Sequence, residues 1–184
     1  MKDFFNDYGK VIGRNILNHI AMVIFSVLVI FTTSTMNKVL FHLAGVLAIL
    51  LHLFLIYVVM WEVGSQDKIK VDGDRLKKNR LTGLNIALIS NSPLILLGIL
   101  VTIFTACVPQ VASANAFTSF VGILETIDFF AVSMYSTLIS LAPNFNALYL
   151  IVLILPIACG ALSYLSGLSG MKCLIPDKKK NERK

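Results

Sequence analysis

Basic residues and long apolar stretches alternate along this chain. All but one of its 16 Lys and Arg residues fall into three groups, which precede the first apolar stretch, separate the second from the third, and follow the last. The exception is Lys38. Basic residues of short loops are retained on the cytoplasmic side of membrane proteins. The pattern therefore predicts a polytopic membrane protein in which all three basic groups, and both termini, are cytoplasmic.

The composition agrees with this class. The chain is 57% hydrophobic and only 14% charged, whereas about a quarter of the residues of a soluble domain are charged. Its 184 residues can form one membrane domain of about four or five spans of roughly 20 residues each. The net charge of +6 is explained by attraction to anionic lipid headgroups. No RNA-binding motif accompanies the basic residues, so we do not expect nucleic-acid binding.

We predict an all-α fold with four transmembrane helices and an amphipathic helix that lies on the outer surface or is re-entrant. The predicted spans are residues 12–33, 39–61, 81–108 and 147–168. A turn of a few residues makes the first two spans an antiparallel hairpin. Residues 62–80 are predicted to be a cytoplasmic loop, in which Asp74 caps a short basic helix, and residues 172–184 a cytoplasmic basic tail.

The amphipathic helix is predicted for residues 115–142, which are long enough to span but carry Glu125 and Asp128. A full crossing would place the basic C-terminal tail outside, against the distribution of basic residues. Helical phasing separates an apolar face from a face rich in Ser and Thr, which is typical of a helix on a membrane surface. We therefore expect an outer-surface or partly re-entrant helix that ends near Pro143.

Glu125 and Asp128 lie three residues apart, so they are neighbours on one helix surface. Asp128 projects toward the apolar face, where an ionisable group costs about 2.5 to 3.5 kcal/mol. Three interpretations stay open. Asp128 faces water or accepts hydrogen bonds from nearby Ser and Thr; the two acids form a cation or proton site; or Asp128 contacts a partner protein.

A polar triplet precedes a proline near the middle of the third span: Ser90, Asn91, Ser92 and Pro93. Pro93 cannot donate to the carbonyl of Ile89 and favours a kink, and Ser or Asn side chains can satisfy the groups that a kink frees. Interrupted helices also build transport sites, usually as a matching pair in two repeated halves. Pro156, in the fourth span, is the only counterpart and a second predicted kink.

The three histidines, His19, His42 and His52, have no metal-site spacing. We expect His52 to hydrogen-bond to a neighbouring helix rather than to relay protons. The three cysteines give no disulfide framework. The sequence has no nucleophile with a paired base, no phosphate loop and no metal quartet, so we predict neither an enzyme nor a cofactor or metal site.

Two kinds of partner fit the pattern. Anionic headgroups would bind the basic residues of the predicted loop and tail: Arg75, Lys77, Lys78, Arg80, Lys178, Lys179 and Lys180. In the last span, Ser163 and Gly167, and then Ser166 and Gly170, are small residues one turn apart, which allow close helix approach. They are compatible with packing inside the chain, with a membrane-protein partner and with a homo-oligomer.

Several short motifs follow one another along the chain: Trp61-x-x-Gly64-x-x-Asp67, a basic loop, Leu81-Thr82-Gly83-Leu84, Ser92-Pro93, and a Gly-rich span before a Lys tail. They resemble a family of small, uncharacterised four-span membrane proteins of Firmicutes. The resemblance covers residues 58–99 and, more loosely, 155–180. It implies a bacterial plasma-membrane location and carries no activity. The polar Ser90-Asn91 departs from the more apolar approach to the proline in that family.

Three function hypotheses follow. The leading one is a non-enzymatic accessory or interaction component of the membrane. The alternative is a small transporter or channel subunit with a polar site at Ser90, Asn91, Glu125 and Asp128. A third is an intramembrane enzyme acting on lipid through Glu125 or Asp128.

Overall fold

The computed structural model describes residues 2–33, 38–76, 79–107, 115–140 and 151–173. All regular structure in these residues is helical. The elements are α1 (Lys2–Thr33), α2 (Lys38–Asp72), α3 (Thr82–Cys107), α4 (Asn115–Ala131), a 3₁₀ turn (Ser133–Tyr135), α5 (Ser136–Ile139) and α6 (Ile154–Ser169).

Three of these helices, α1, α2 and α3, are long and apolar enough to cross a membrane. The count rises to four if α4 and the bent segment after it form one span. α6 is apolar but has 16 residues, a length of about 24 Å at the usual rise per residue, which is less than the roughly 30 Å of a hydrocarbon core. In the residues that the structure describes, the chain is thus helical, with three to four membrane-span-like helices.

The described basic residues of all three groups lie toward one end of the helix bundle, which we call the basic end. There Arg14 of α1 forms an ion pair with Glu62 of α2, at 3.1 Å between Nη1 and Oε2. The indole nitrogen of Trp61 donates to the carbonyl of Met171, just after α6, at 3.1 Å. The start of α1, the end of α2, the start of α3 and the end of α6 therefore meet, as the charge pattern predicts.

Glycines allow the helices to pack closely at the basic end. A Cβ atom on Gly64 would collide with the backbone of α6, and one on Gly167 would collide with the backbone of α2. α6 then ends at Gly170, whose positive φ of 78° is the left-handed conformation that glycine adopts readily. The predicted close approach at Gly167 is confirmed, with α2 as the neighbouring helix.

The predicted loop 62–80 is wrong over its first half, because α2 continues as a helix to Asp72. The charged residues of this extension do not all face water, since Asp67 is buried against α1 and α6. The predicted capping role of Asp74 is wrong, because Asp74 lies in a turn with a φ of 55°. Before α3, Asn79 Oδ1 accepts a hydrogen bond from the backbone N–H of Leu81 at 2.9 Å.

The predicted amphipathic helix is broken. α4 ends at Ala131, and the segment Ser133–Ile139 follows at an angle of 71°. Residues 132–137 are all buried, because this segment packs between α1 and α2. Ser133, Ser136 and Thr137, at the C-terminal end of the predicted polar face, are therefore inside the bundle, whereas Glu125 and Thr126 of the same face are exposed. A bent pair of this kind is either a broken span or a re-entrant segment, and the burial of residues 132–137 differs from a helix that lies wholly on the membrane surface.

Several predictions fall outside the described residues. They concern the turn at 34–37, the end of the third span at Val108, the end of the amphipathic helix at 141–143, the start of the fourth span at 147–150, and the basic residues Lys77, Lys78, Lys178, Lys179 and Lys180.

Candidate functional site

A small polar cavity lies at the centre of the bundle. Its volume is about 10 Å³, which is close to the space that one water molecule needs. Its polar lining comes from three helices, α1, α2 and α3: Asn15, His19, His52, Ser90 and Asn91. All five side chains are buried. In this cavity Ser90 and Asn91 of the predicted polar site meet His19 and His52.

His19 connects the cavity to the end of α4. Its Nε2 lies 3.1 Å from the carbonyl oxygen of Ala131, the last residue of α4. The final carbonyls of a helix lack partners within the helix, and in a membrane a neighbouring group must satisfy them. His19 thus stabilises the position at which α4 ends and the chain turns into the bundle.

His52 connects α2 to the segment Ser133–Ile139, which we call the inserted segment. Its Nδ1 lies 2.9 Å from the hydroxyl oxygen of Tyr135, and both side chains are almost fully buried. The rings of His19 and His52 are in edge contact, with centroids 5.2 Å apart. The prediction that His52 bonds to a neighbouring element is confirmed, although Tyr135 was not foreseen as its partner.

Ser90, Asn91 and Ser92 bond to their own helix. Ser90 Oγ donates to the carbonyl of Ile86 and Asn91 Nδ2 to that of Ala87, each at 2.8 Å. Ser92 Oγ donates to the carbonyl of Ile89 at 2.8 Å. Pro93 deprives this same carbonyl of its usual partner, so a side chain satisfies the freed group as predicted.

The two prolines have different surroundings. α3 is assigned as one helix through Pro93, so it is not an interrupted helix of the kind that builds transport sites. Pro156 lies in the first turn of α6, directly after a break in the helix at Leu153. The position of the break agrees with the effect of a proline, because Pro156 has no N–H to donate to the carbonyl of Val152, four residues earlier.

Glu125 and Asp128 do not form a pair. Glu125 is exposed and accepts a hydrogen bond from Thr105 of α3 at 2.8 Å. Asp128 is 2% exposed, and its Oδ1 has no hydrogen-bond partner among the described residues. Neither acid lines the central cavity. The structure therefore brings Ser90 and Asn91 together with the histidines and leaves both acids apart, and Asp128 does not face water.

A second polar cluster, at the basic end, was not predicted. The carboxylate of Asp67 is 1% exposed and accepts hydrogen bonds at Oδ2 from the hydroxyls of Tyr8 and Tyr164, at 2.8 Å and 3.0 Å. Lys70 lies 3.2 Å from its Oδ1. We call Tyr8, Asp67, Lys70 and Tyr164 the aspartate cluster. It joins α1, α2 and α6.

The signal for this cluster is present in the sequence. The buried positions His52, Ile56, Met60 and Gly64 of α2 are spaced four residues apart, and Asp67 follows three residues later. That spacing continues one helix face beyond the end of the predicted span. The charges after Trp61 concealed it, because they suggested a loop. Asp67 and Gly64 also belong to the motif on which the family resemblance rests.

The described basic residues Arg75 and Arg80 are exposed near the basic end. No group of three or more metal-ligating side chains occurs in the part of the chain that the structure describes.

Comparison with protein families, curated proteins and solved structures finds no match to this chain. The resemblance to a family of Firmicutes therefore stays a prediction.

Proposed function

We propose that this chain is an integral protein of a bacterial plasma membrane that acts as a non-enzymatic accessory component, by binding another membrane protein. One observation carries the proposal. The centre of the bundle is closed, with a cavity of about 10 Å³ that holds no more than about one water molecule. A solute or lipid enclosed in the bundle would need a cavity of several hundred Å³. A space of that size in the described residues, about 380 Å³ beside Phe4, Phe5, Asn85, Leu88 and Ile89, is an open groove and not an enclosed site.

We assign the partner surface to α4, while exposed apolar side chains on α1, such as Ile24, are assigned to lipid. This helix is held to α3 by the hydrogen bond between Glu125 and Thr105 and by contact of the Phe104 and Phe120 rings. Ile123 and Ile127 are about half exposed. A transmembrane helix of the partner would cover this apolar face, in a membrane where close packing drives helix association.

The test is to purify the tagged protein from its native membrane in mild detergent and to determine the mass and composition of the intact complex. We expect a discrete second protein, which the variant Ile123→Asn loses. The matched control is Ile24→Asn, which places the same polar group on an exposed position of α1. Multiples of 20.3 kDa alone would contradict an accessory role and indicate a homo-oligomer.

The second candidate is a small transporter or channel subunit, for which the specific observation is the polar lining of the central cavity by Ser90 and Asn91. Reconstituted liposomes would then show an ion or proton flux that Asn91→Leu abolishes. The control Asn85→Leu changes an asparagine of α3 that lies on an open groove instead. A flux that requires Asp128 would support the site predicted from the sequence, in which Asp128 acts together with Ser90 and Asn91. The absence of any flux would exclude this candidate.

The basic end faces the cytoplasm in this proposal, where Arg75 and Arg80 bind anionic headgroups. Cys107 ends α3 away from the basic end, and Cys173 follows α6 at it. A membrane-impermeant maleimide should label a variant that keeps only Cys107 in intact cells. It should label a variant that keeps only Cys173 only after the cells are permeabilised. The reverse pattern would invert the topology.

A further inference from the structure

Two buried polar atoms without partners belong to the wall of one cavity. Asn15 Oδ1 and His19 Nδ1 have no hydrogen-bond partner among the described residues. Their side chains are 8% and 9% exposed, and both residues line the central cavity. They are four positions apart on α1, so they are neighbours on one helix face. Unpaired buried polar groups are costly, which indicates that the cavity is occupied.

Both atoms are hydrogen-bond acceptors. His19 Nε2 lies against a carbonyl oxygen, which can only accept, so Nε2 carries the proton and Nδ1 of the neutral ring is an acceptor. Asn15 Nδ2 lies 3.4 Å from the sulfur of Met60. A thioether sulfur has no proton to donate, so the amide nitrogen belongs there and Oδ1 is the free acceptor. The occupant must therefore donate two hydrogen bonds.

The size and charge of the cavity narrow the choice further. At about 10 Å³, it has room for roughly one water molecule. Its described lining includes no Asp or Glu, so a cation would be buried without a compensating charge, which is expensive in a membrane. We propose that one neutral water molecule occupies the cavity and donates hydrogen bonds to Asn15 Oδ1 and His19 Nδ1.

The oxygen of this water remains available as an acceptor. The site does not depend on the accessory role proposed above. It would be present whether the protein binds a partner or conducts an ion.

Solid-state NMR of the protein in lipid bilayers tests the proposal directly. The chain has three histidines, so ¹⁵N-histidine labelling gives a simple spectrum. We expect magnetisation to pass from water protons to the Nδ1 of His19 although this side chain is buried. Absence of transfer to the Nδ1 of His19 would overturn the proposal.

A variant separates bound water from general hydration. Asn15→Leu keeps a similar side-chain volume and removes one of the two acceptors, so the His19 signal should be lost. Asn85→Leu makes the same substitution outside the cavity and should leave the signal unchanged. An undiminished His19 signal in folded Asn15→Leu would contradict the bridging water.

A second measurement needs no variant. Hydroxyl radicals generated by X-rays from a bound water oxidise the side chains beside it. Met60 is 0% exposed and lines the cavity, whereas Met22 is 3% exposed and packs in the apolar core. We expect Met60 to be oxidised several-fold faster than Met22. Equal oxidation of the two methionines would refute the water site.

Discussion

Two aspartates are almost equally buried in this protein, and their surroundings are opposite. Asp67, at the basic end, is bonded by two tyrosine hydroxyls and a lysine. Asp128, on α4, has a carboxyl oxygen with no partner among the described residues. Because a buried charge is costly unless it is paired and hydrogen-bonded, the first arrangement stabilises the fold and the second does not. Burial alone does not distinguish a structural acid from a candidate functional one.

The contrast between paired and unpaired buried polar groups extends beyond the two aspartates. The other buried side-chain atoms without partners in the described residues belong to the middle of the bundle and the inserted segment: Asn15, His19, Ser133 and Thr137. None belongs to the aspartate cluster. The basic end is therefore the anchored part of the molecule, and the region around the bend after α4 is where unsatisfied polar groups concentrate.

The largest effect is expected for Asp67→Ala. The change leaves the buried hydroxyls of Tyr8 and Tyr164 without an acceptor, and removal of one partner from a buried charged network costs about 3 to 5 kcal/mol of unfolding free energy. Unfolding in detergent micelles measures it. Glu62→Ala is the control on the same helix, since its ion pair with Arg14 is exposed and contributes at most about 1 kcal/mol. Similar losses of unfolding free energy in the two variants would contradict the view that Asp67 anchors the basic end.

The second-largest effect is expected when one hydroxyl is removed from the aspartate cluster, and it is compared with removal of one hydroxyl from the inserted segment. Tyr8→Phe deletes a hydrogen bond to a carboxylate and should cost about 1.5 to 3 kcal/mol. Tyr135→Phe deletes a neutral hydrogen bond to His52 and should cost about 1 kcal/mol. Both variants are measured in the same unfolding assay. If Tyr135→Phe proved the more destabilising, the anchor would lie in the inserted segment instead.

Close packing at the basic end gives the third prediction. Gly64→Ala places a methyl group against the backbone of α6, and overpacking of this kind costs about 1 to 3 kcal/mol. Gly122→Ala on α4 meets nothing within 4 Å and should be neutral, or stabilising by up to about 1 kcal/mol, because alanine is the better helix former. Thermal unfolding of the two variants distinguishes these outcomes. A neutral Gly64→Ala would mean that α2 and α6 can separate freely.

Asp128→Asn should have the smallest effect. The substitution removes a buried charge that lacks full hydrogen bonding, so the unfolding free energy should fall by no more than about 1 kcal/mol, or rise. The measurement is again unfolding in detergent. A loss as large as that of Asp67→Ala would show that Asp128 has a structural partner and would remove the contrast between the two acids.

The local features of the fold were predictable because they depend on neighbours in the sequence. The bond from Ser92 to the Ile89 carbonyl follows from the missing N–H of Pro93. The meeting of the basic groups at one end follows from the charge of the segments that flank each apolar stretch. The extension of α2 past Trp61 was not predicted, although the buried positions repeat every three or four residues from His52 to Asp67, because charged residues are also typical of a loop.

The break after Ala131 was not predictable from helical phase. Phasing groups Ser133, Ser136 and Thr137 on one polar face, but it does not reveal whether such a face meets water or the inside of a protein. In the structure the hydroxyl of Tyr135, in the same segment, reaches His52. Which buried histidine it reaches depends on how far the bent segment enters between α1 and α2.

The class of this protein and the common end at which its basic residues lie follow from the sequence, because apolar length and flanking charge act segment by segment. Which polar groups are paired depends on the packing of the helices. This packing buries Asp67 between two tyrosines and places Ser90 and Asn91 beside His19 and His52. The physical reason is that a hydrogen bond between helices requires two side chains at the same depth and facing each other, and each helix alone specifies only its own face.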